Sequence, residues 1–183
     1  MKQILIVSHC ILNTTSKVEQ DENELQEEYR IKEQLMRLVI EQGIQIMQLP
    51  CPEFLLYGSR RWGHVKDQFM HPHFIAECRK MLEPILMQME EYLSYPEDFH
   101  MLGIVSVEGS PSCGYRLTCR GDWGGEFGDE RAVAKKRETL SMEQEPGVLM
   151  QILESELAKR GMNLPIITME EAVGMLLSKE KLL

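Results

Sequence analysis

MKQILIVSHCILNTTSKVEQDENELQEEYRIKEQLMRLVIEQGIQIMQLPCPE, residues 1–53, changes its hydrophobic period twice. Gln3–Ser8 is a short apolar run bounded by polar residues, the pattern of a strand buried on both faces. From about Glu22 to Gln42 the period becomes helical. Ile31, Leu35, Leu38 and Val39 follow a three-or-four spacing, and Leu25, Tyr29, Met36 and Ile40 widen the same face. Gly43 is placed to end that helix, and Ile44–Leu49 returns to a strand. Further along, Pro72–Tyr92 is helical, with Pro72 suited to a first turn and Pro84 predicting a kink or a break. Met101–Val107 reads as a third strand, Val148–Arg160 as a helix stopped by Gly161, Leu164–Thr168 as a fourth strand and Met169–Ser178 as a last helix. Glu108–Glu145 is irregular. It holds Trp123 and six of the thirteen glycines, so a functional or partly disordered loop is expected, with room for a short helix around Glu130–Thr139.

This alternation predicts an α/β chain, a three-layer α/β/α sandwich with a small, about four-stranded, mostly parallel sheet of Rossmann-like type. The expected strand order is 2-1-3-4. Right-handed crossovers then bring every strand's C-terminal end to one edge, and ligands bind there, where the order reverses between strands 1 and 3. A length of 183 residues fits one domain spanning 1–183. A hydrophobic fraction of 43% excludes general disorder. With 20 Lys and Arg against 29 Asp and Glu, the net charge is −9. That argues against a large nucleic-acid partner bound through a basic surface, while leaving room for a local cationic pocket. No run of about 18 apolar residues suggests a membrane partner. The N-terminus reads as a strand and not as a signal peptide, so a cytoplasmic protein is expected. Composition is silent on oligomeric state.

Five cysteines, an odd number, fit reduced thiols better than a disulfide framework. Cys10 lies two residues past the first strand, Cys51 two past the second and Cys113 six past the third. Distant in sequence, these three are expected to converge at one sheet edge. Proline on both sides holds Cys51 extended, and Gly109, Pro111 and Gly114 make a sharp turn before and after Cys113. Thiolates suit zinc, copper(I) or iron–sulfur clusters, and three without a fourth leave an open position. The opposing reading is of buried thiols acting as small hydrophobes. Cys78 reads as core and Cys119 as without a role. The thirteen methionines fall mostly at helical apolar spacing and read as core.

Ser8-His9-Cys10-Ile11-Leu12-Asn13, Cys51-Pro52-Glu53 and Ser110-Pro111-Ser112-Cys113-Gly114 resemble the DUF523 family, which includes the thiouracil desulfidases, over about Ile4–Gly114. The resemblance implies a 4Fe–4S cluster on Cys10, Cys51 and Cys113, with one iron unligated by protein and the cluster lost from protein prepared in air. It also implies non-redox, hydrolytic removal of sulfur from a thiolated pyrimidine or related thioamide, so the partner is a small thiolated heterocycle. Glu53 is then the candidate base, or a helix cap. Ser110 is a candidate partner of the attacking water, or a turn residue. Asn13 and Ser112 are candidate substrate contacts, Glu108 is a weaker base, and His9 reads as a histidine satisfied by nearby backbone. Arg60-Arg61-Trp62-Gly63-His64 offers stacking and anion contacts or forms a solvated loop, and Trp123-Gly124-Gly125 is a candidate lid over a flat ring. The alternatives are a non-catalytic iron–sulfur or zinc-binding module and an enzyme with one nucleophilic cysteine. A phosphatase-type cradle is not supported, because Ser16 and not Arg stands six residues after Cys10.

Overall fold

The computed structural model describes residues 1–126 and 128–180. In chain order its elements are β1 (Lys2–Val7), α1 (His9–Leu12), a 3-10 turn at Thr14–Ser16, α2 (Glu22–Glu41), β2 (Gln45–Gln48), α3 (Pro52–Tyr57), α4 (Lys66–Phe69), α5 (Pro72–Leu93) and β3 (Phe99–Val105). Then follow β4 (Thr118–Arg120), α6 (Glu130–Arg137), β5 (Ser141–Glu143), α7 (Val148–Lys159), β6 (Ile166–Ile167) and α8 (Met169–Glu180).

The main sheet has the order β2-β1-β3-β6, with every pair parallel, which is the predicted order. Ile4, Leu5, Ile6 and Val7 are all buried. Their unbroken apolar run is what a central strand covered on both faces requires. The chain leaves β1 through α2 towards β2, then returns through α5 past β1 to β3 and continues through α7 to β6. Since such crossovers are right-handed, this reversal puts α2 on one face and α5 and α7 on the other. α8 packs against α2, and α5 against α7. Gln42 also donates a hydrogen bond from Nε2 to the Leu176 carbonyl at 3.1 Å, tying α2 to α8. The sandwich has three layers, α/β/α.

The structure narrows two sequence expectations. The helix of Pro72–Leu93 is not broken at Pro84. Pro84 and Lys80, whose carbonyl loses its partner, are both exposed, a position where solvent is free to satisfy that carbonyl. Within Glu108–Glu145, β4 and β5 pair antiparallel, Thr118 opposite Glu143, and the short helix expected around Glu130–Thr139 is present as α6 between them. Strands of three residues carry no periodic signal to read. Among the described residues no helix is long and apolar enough to cross a membrane.

Candidate functional site

Three of the four strands of the main sheet, β1, β2 and β3, are each followed by one of the three cysteines. Past β1, Ser8 is fully buried and donates from Oγ to the Val105 carbonyl at 3.0 Å, and the chain turns directly into the single turn of α1 that carries Cys10. Past β2, the Leu49 amide donates to the Val7 carbonyl at 2.8 Å. Cys51 follows in extended conformation, with Pro52 opening α3. Its Sγ takes the N-cap position, accepting from the Phe54 amide at 3.4 Å. Past β3, the turn around Cys113 is closed on itself. The Val107 amide donates to the Cys113 carbonyl at 3.0 Å, and Ser110 Oγ accepts from the Cys113 amide at 3.0 Å.

α7 clamps that last turn from outside. The first amides of a helix lack partners within it. Here Val148 donates to the Pro111 carbonyl at 3.0 Å, while Leu149 and Met150 donate to the Ser112 carbonyl at 3.0 and 3.2 Å. The approach leaves no room for a side chain at Gly147, where a Cβ would stand 2.7 Å from the Ser112 carbonyl carbon and oxygen. The thiol turn is therefore fixed by backbone contacts on both sides.

Cys10, Cys51 and Cys113 all line one cavity of about 300 Å³ at the C-terminal edge of the sheet. Burial pushes the Cys10 thiol up to about 12, helped by the neighbouring Cys51 and opposed by Lys17. Burial likewise raises Cys113, with the charges of Cys10 and Cys51 adding to it. Cys51 is raised chiefly by burial too. Sulfurs that disfavour one another's ionisation in this way share one space. Among the described residues no three His, Cys, Asp or Glu side chains are grouped closely enough to hold a single metal ion. A multi-iron cluster takes its protein ligands on separate irons, and three soft donors from three strand ends around one cavity fit that requirement.

Glu53 is 8% exposed and faces the same cavity. Its Oε1 accepts from Ser112 Oγ at 2.5 Å, with Ser110 Oγ at 3.4 Å, and its Oε2 lies 3.6 Å from Arg61 Nε. Glu53 is thus not the cap of α3, a place that Cys51 Sγ occupies. The two serines are placed differently. Ser110 Oγ accepts from the amides of Ser112 and Cys113, at 3.3 and 3.0 Å, so it is first a turn-forming residue. Ser112, fully buried, makes the close contact with Glu53 and orients it.

Other candidates resolve as follows. Asn13 is exposed, its Oδ1 accepts from Thr15 Oγ1 at 2.5 Å, and it is absent from the cavity wall: it shapes its own turn. Glu108 borders the cavity, but both its oxygens are engaged. Ser106 Oγ (2.6 Å) and the amides of Tyr115, Arg116 and Leu117 (2.7–3.2 Å) all donate to it, so it organises the loop after β3. His9 Nδ1 meets Gln48 Nε2 at 2.5 Å, a side chain and not the backbone. Cys78 is core, as read. Cys119 sits on β4 in the wall of the cavity, a placement that its sequence context did not signal. The Arg60–His64 stretch divides: Arg60 and Trp62 are exposed, whereas Arg61 and His64 line the cavity. Trp123 Nε1 donates to the Gly63 carbonyl at 3.1 Å, so Trp123 docks on that stretch. Sequence reasoning also passed over Lys17 and Glu28, an ion pair at the cavity's edge beside Cys10.

No family model matches the chain, and no solved structure matches it. It is similar to the uncharacterized protein MJ0003 of Methanocaldococcus jannaschii, with 32% identity over 112 residues, covering 61% of this chain and 67% of that protein.

Proposed function

The chain belongs to one family with protein MJ0003, and for this member we propose a hydrolytic, non-redox desulfidase acting on a thiolated pyrimidine or related small thioamide. Cys10, Cys51 and Cys113 would hold a 4Fe–4S cluster with one iron free of protein ligands, in a cytoplasmic setting that keeps the thiols reduced. The observation that carries the reading is the meeting of three thiols and a serine-bound, buried carboxylate in one cavity. It agrees with the DUF523-like motifs Cys51-Pro52-Glu53 and Ser110–Gly114.

When bound, such a cluster supplies a Lewis-acidic iron with affinity for the soft thiocarbonyl sulfur. The chain's own residues handle the water. Glu53 accepts its proton as the water oxygen bonds to the thiocarbonyl carbon. The remaining proton of the new C–OH passes to the sulfur as the C–S bond breaks. A carbonyl thus replaces the thiocarbonyl and sulfur departs as hydrosulfide, with no change of oxidation state and the first proton left on Glu53 to return to solvent. Ser112 holds Glu53 Oε1, and Arg61 stands against Oε2, so the carboxylate keeps one orientation through the step. Val107 adds an apolar patch to the wall beside these polar groups.

The test is chemical analysis of protein purified without oxygen. Bound iron and acid-labile sulfide, a brown chromophore lost in each of Cys10→Ala, Cys51→Ala and Cys113→Ala, and release of sulfide from 2-thiouracil are expected. A chromophore that survives all three substitutions overturns the ligand assignment. A cluster that forms without sulfide release from any thiobase would favour the non-catalytic module.

A further inference from the structure

Two polar atoms of cavity-lining residues are buried without a hydrogen-bond partner, Arg61 Nε and His64 Nδ1. The other such atom among the described residues, His9 Nε2, belongs to a residue outside the cavity wall. A buried donor left unpaired is costly, and native structures rarely retain one without a reason. Neither residue is loosely held. Arg61 Nη1 donates to the Gly58 carbonyl at 3.1 Å and Nη2 to the Ser16 carbonyl at 2.8 Å, and its side chain is 5% exposed. The planar guanidinium is therefore fixed, and its Nε–H is directed by its own geometry. Glu53 Oε2, at 3.6 Å, is an ionic neighbour too distant to be its hydrogen-bond acceptor. The His64 ring packs at 4.8 Å from Tyr57 and 4.9 Å from Phe69, centroid to centroid. Burial lowers its pKa, with Glu53 and Arg61 as the charged neighbours, so the imidazole is neutral near pH 7. A neutral imidazole offers either a donor or an acceptor at Nδ1.

A fixed donor and, on a second residue of the same cavity wall, an atom that can donate or accept together complement a cyclic amide edge, a carbonyl next to a ring nitrogen. A thiolated pyrimidine keeps such an edge besides its thiocarbonyl, and an acyclic thioamide has none. We infer that Arg61 and His64 are the specificity-determining pair of this site and read the amide edge of a ring substrate whose thiocarbonyl faces the three thiols. The inference rests on the desulfidase reading for the sulfur end of the substrate only.

Uracil, the sulfur-free ring that retains the edge, separates the two ideas. It is titrated by calorimetry into anaerobic wild-type protein, Arg61→Lys and His64→Phe. The first variant keeps the cation without the guanidinium fork, and the second keeps the ring packing without its nitrogens. Thermal melting shows whether each is folded, and an unfolded Arg61→Lys leaves the test to His64→Phe. Each loss is expected to raise the Kd for uracil about tenfold. KM for 2-thiouracil should rise in parallel, with kcat nearly constant in His64→Phe and lowered as well in Arg61→Lys, because the Arg61 guanidinium also orders Glu53, and the kcat/KM preference for 2-thiouracil over thioacetamide should fall about tenfold. Unchanged uracil affinity in the folded variants, a wild type that does not bind uracil, or a fall in kcat alone would overturn the pairing. In the last case Arg61 merely positions Glu53. Wild-type protein that binds uracil through this pair yet releases no sulfide from 2-thiouracil keeps the pairing and discards the desulfidase. Sulfide release with uracil affinity indifferent to both variants does the reverse.

Discussion

Glu53 is gripped at both oxygens, Oε1 by Ser112 and Oε2 by the Arg61 cation, and this grip decides what substitutions at the site should do. Glu53→Gln keeps the shape and removes the proton acceptor. Turnover of 2-thiouracil should fall by about 10²- to 10⁴-fold, with iron and labile sulfide unchanged; a fall that tracks lost iron would make Glu53 structural. Ser112→Ala removes the close partner of Oε1 and should lower kcat about tenfold, at a stability cost of about 1 kcal/mol read by denaturant unfolding. Ser110→Ala should act through the turn instead, destabilising it because two amides lose their acceptor. The cysteines and Glu53 were legible because strand ends and chain order fix them to one edge. Which serine faces Glu53 was not, since that depends on the inside of a turn made by one side chain's bonds to two amides. Arg61 was hidden for a similar reason: nothing in Arg60-Arg61-Trp62-Gly63-His64 says which arginine turns inward.

Among elements, the meeting of α7 with the Cys113 turn concentrates the most constraint. Three helix amides and the Gly147 amide, which donates to the Gly114 carbonyl at 2.8 Å, hold the turn by its backbone. Gly147 has an ordinary negative φ of −65°, so its requirement is one of space alone. Gly147→Ala should cost about 1–3 kcal/mol by overpacking. Because the obstructing atoms are Ser112 backbone, the displacement should reach Cys113 and reduce iron retention in anaerobic protein. A variant that melts early yet holds full iron would show that the turn relaxes without moving its thiol. Periodicity found every long element here. It missed α1, α3 and α4, which span four to six residues each, too few for an apolar period to register, and the cap of α3 by the Cys51 sulfur is a signal that no pattern of apolar residues records.

At the scale of the molecule, two kinds of structure meet at the cavity. The parallel sheet is buried through β1 and most of β3, whereas β5 is exposed throughout and α6 buries nothing. The main sheet's order was readable because alternating strands and helices admit few right-handed windings. The β4–β5 excursion was not, since charges and not apolar spacing hold it. Arg120 grips Asp67 of α4 with Nε and Nη2, at 2.9 and 2.6 Å, and Glu145 with Nη1 at 2.6 Å, while buried Lys66 meets Glu145 at 3.1 Å. In native-state hydrogen exchange the paired amides of Thr118–Arg120 should therefore open at lower free energy than those of β1 and β3. Equal protection would mean that the excursion unfolds only with the body. The strap also carries a sign with pH. The Arg120 guanidinium bonded to Asp67 holds its carboxyl down at about 2, below its ordinary 3.8. Its contribution is complete above the ordinary value and disappears as pH falls through the lowered one. Because the Asp67 side chain is 39% exposed, solvent screens the pair and that contribution is about 1 kcal/mol or less. Asp67→Asn should accordingly speed exchange at β4 near pH 6 while leaving β1 unaffected. The gap between variant and wild type should narrow as pH drops from about 4 towards 2. A gap that stays constant over that range would remove ionised Asp67 from the strap and leave Glu145 to hold Arg120 alone.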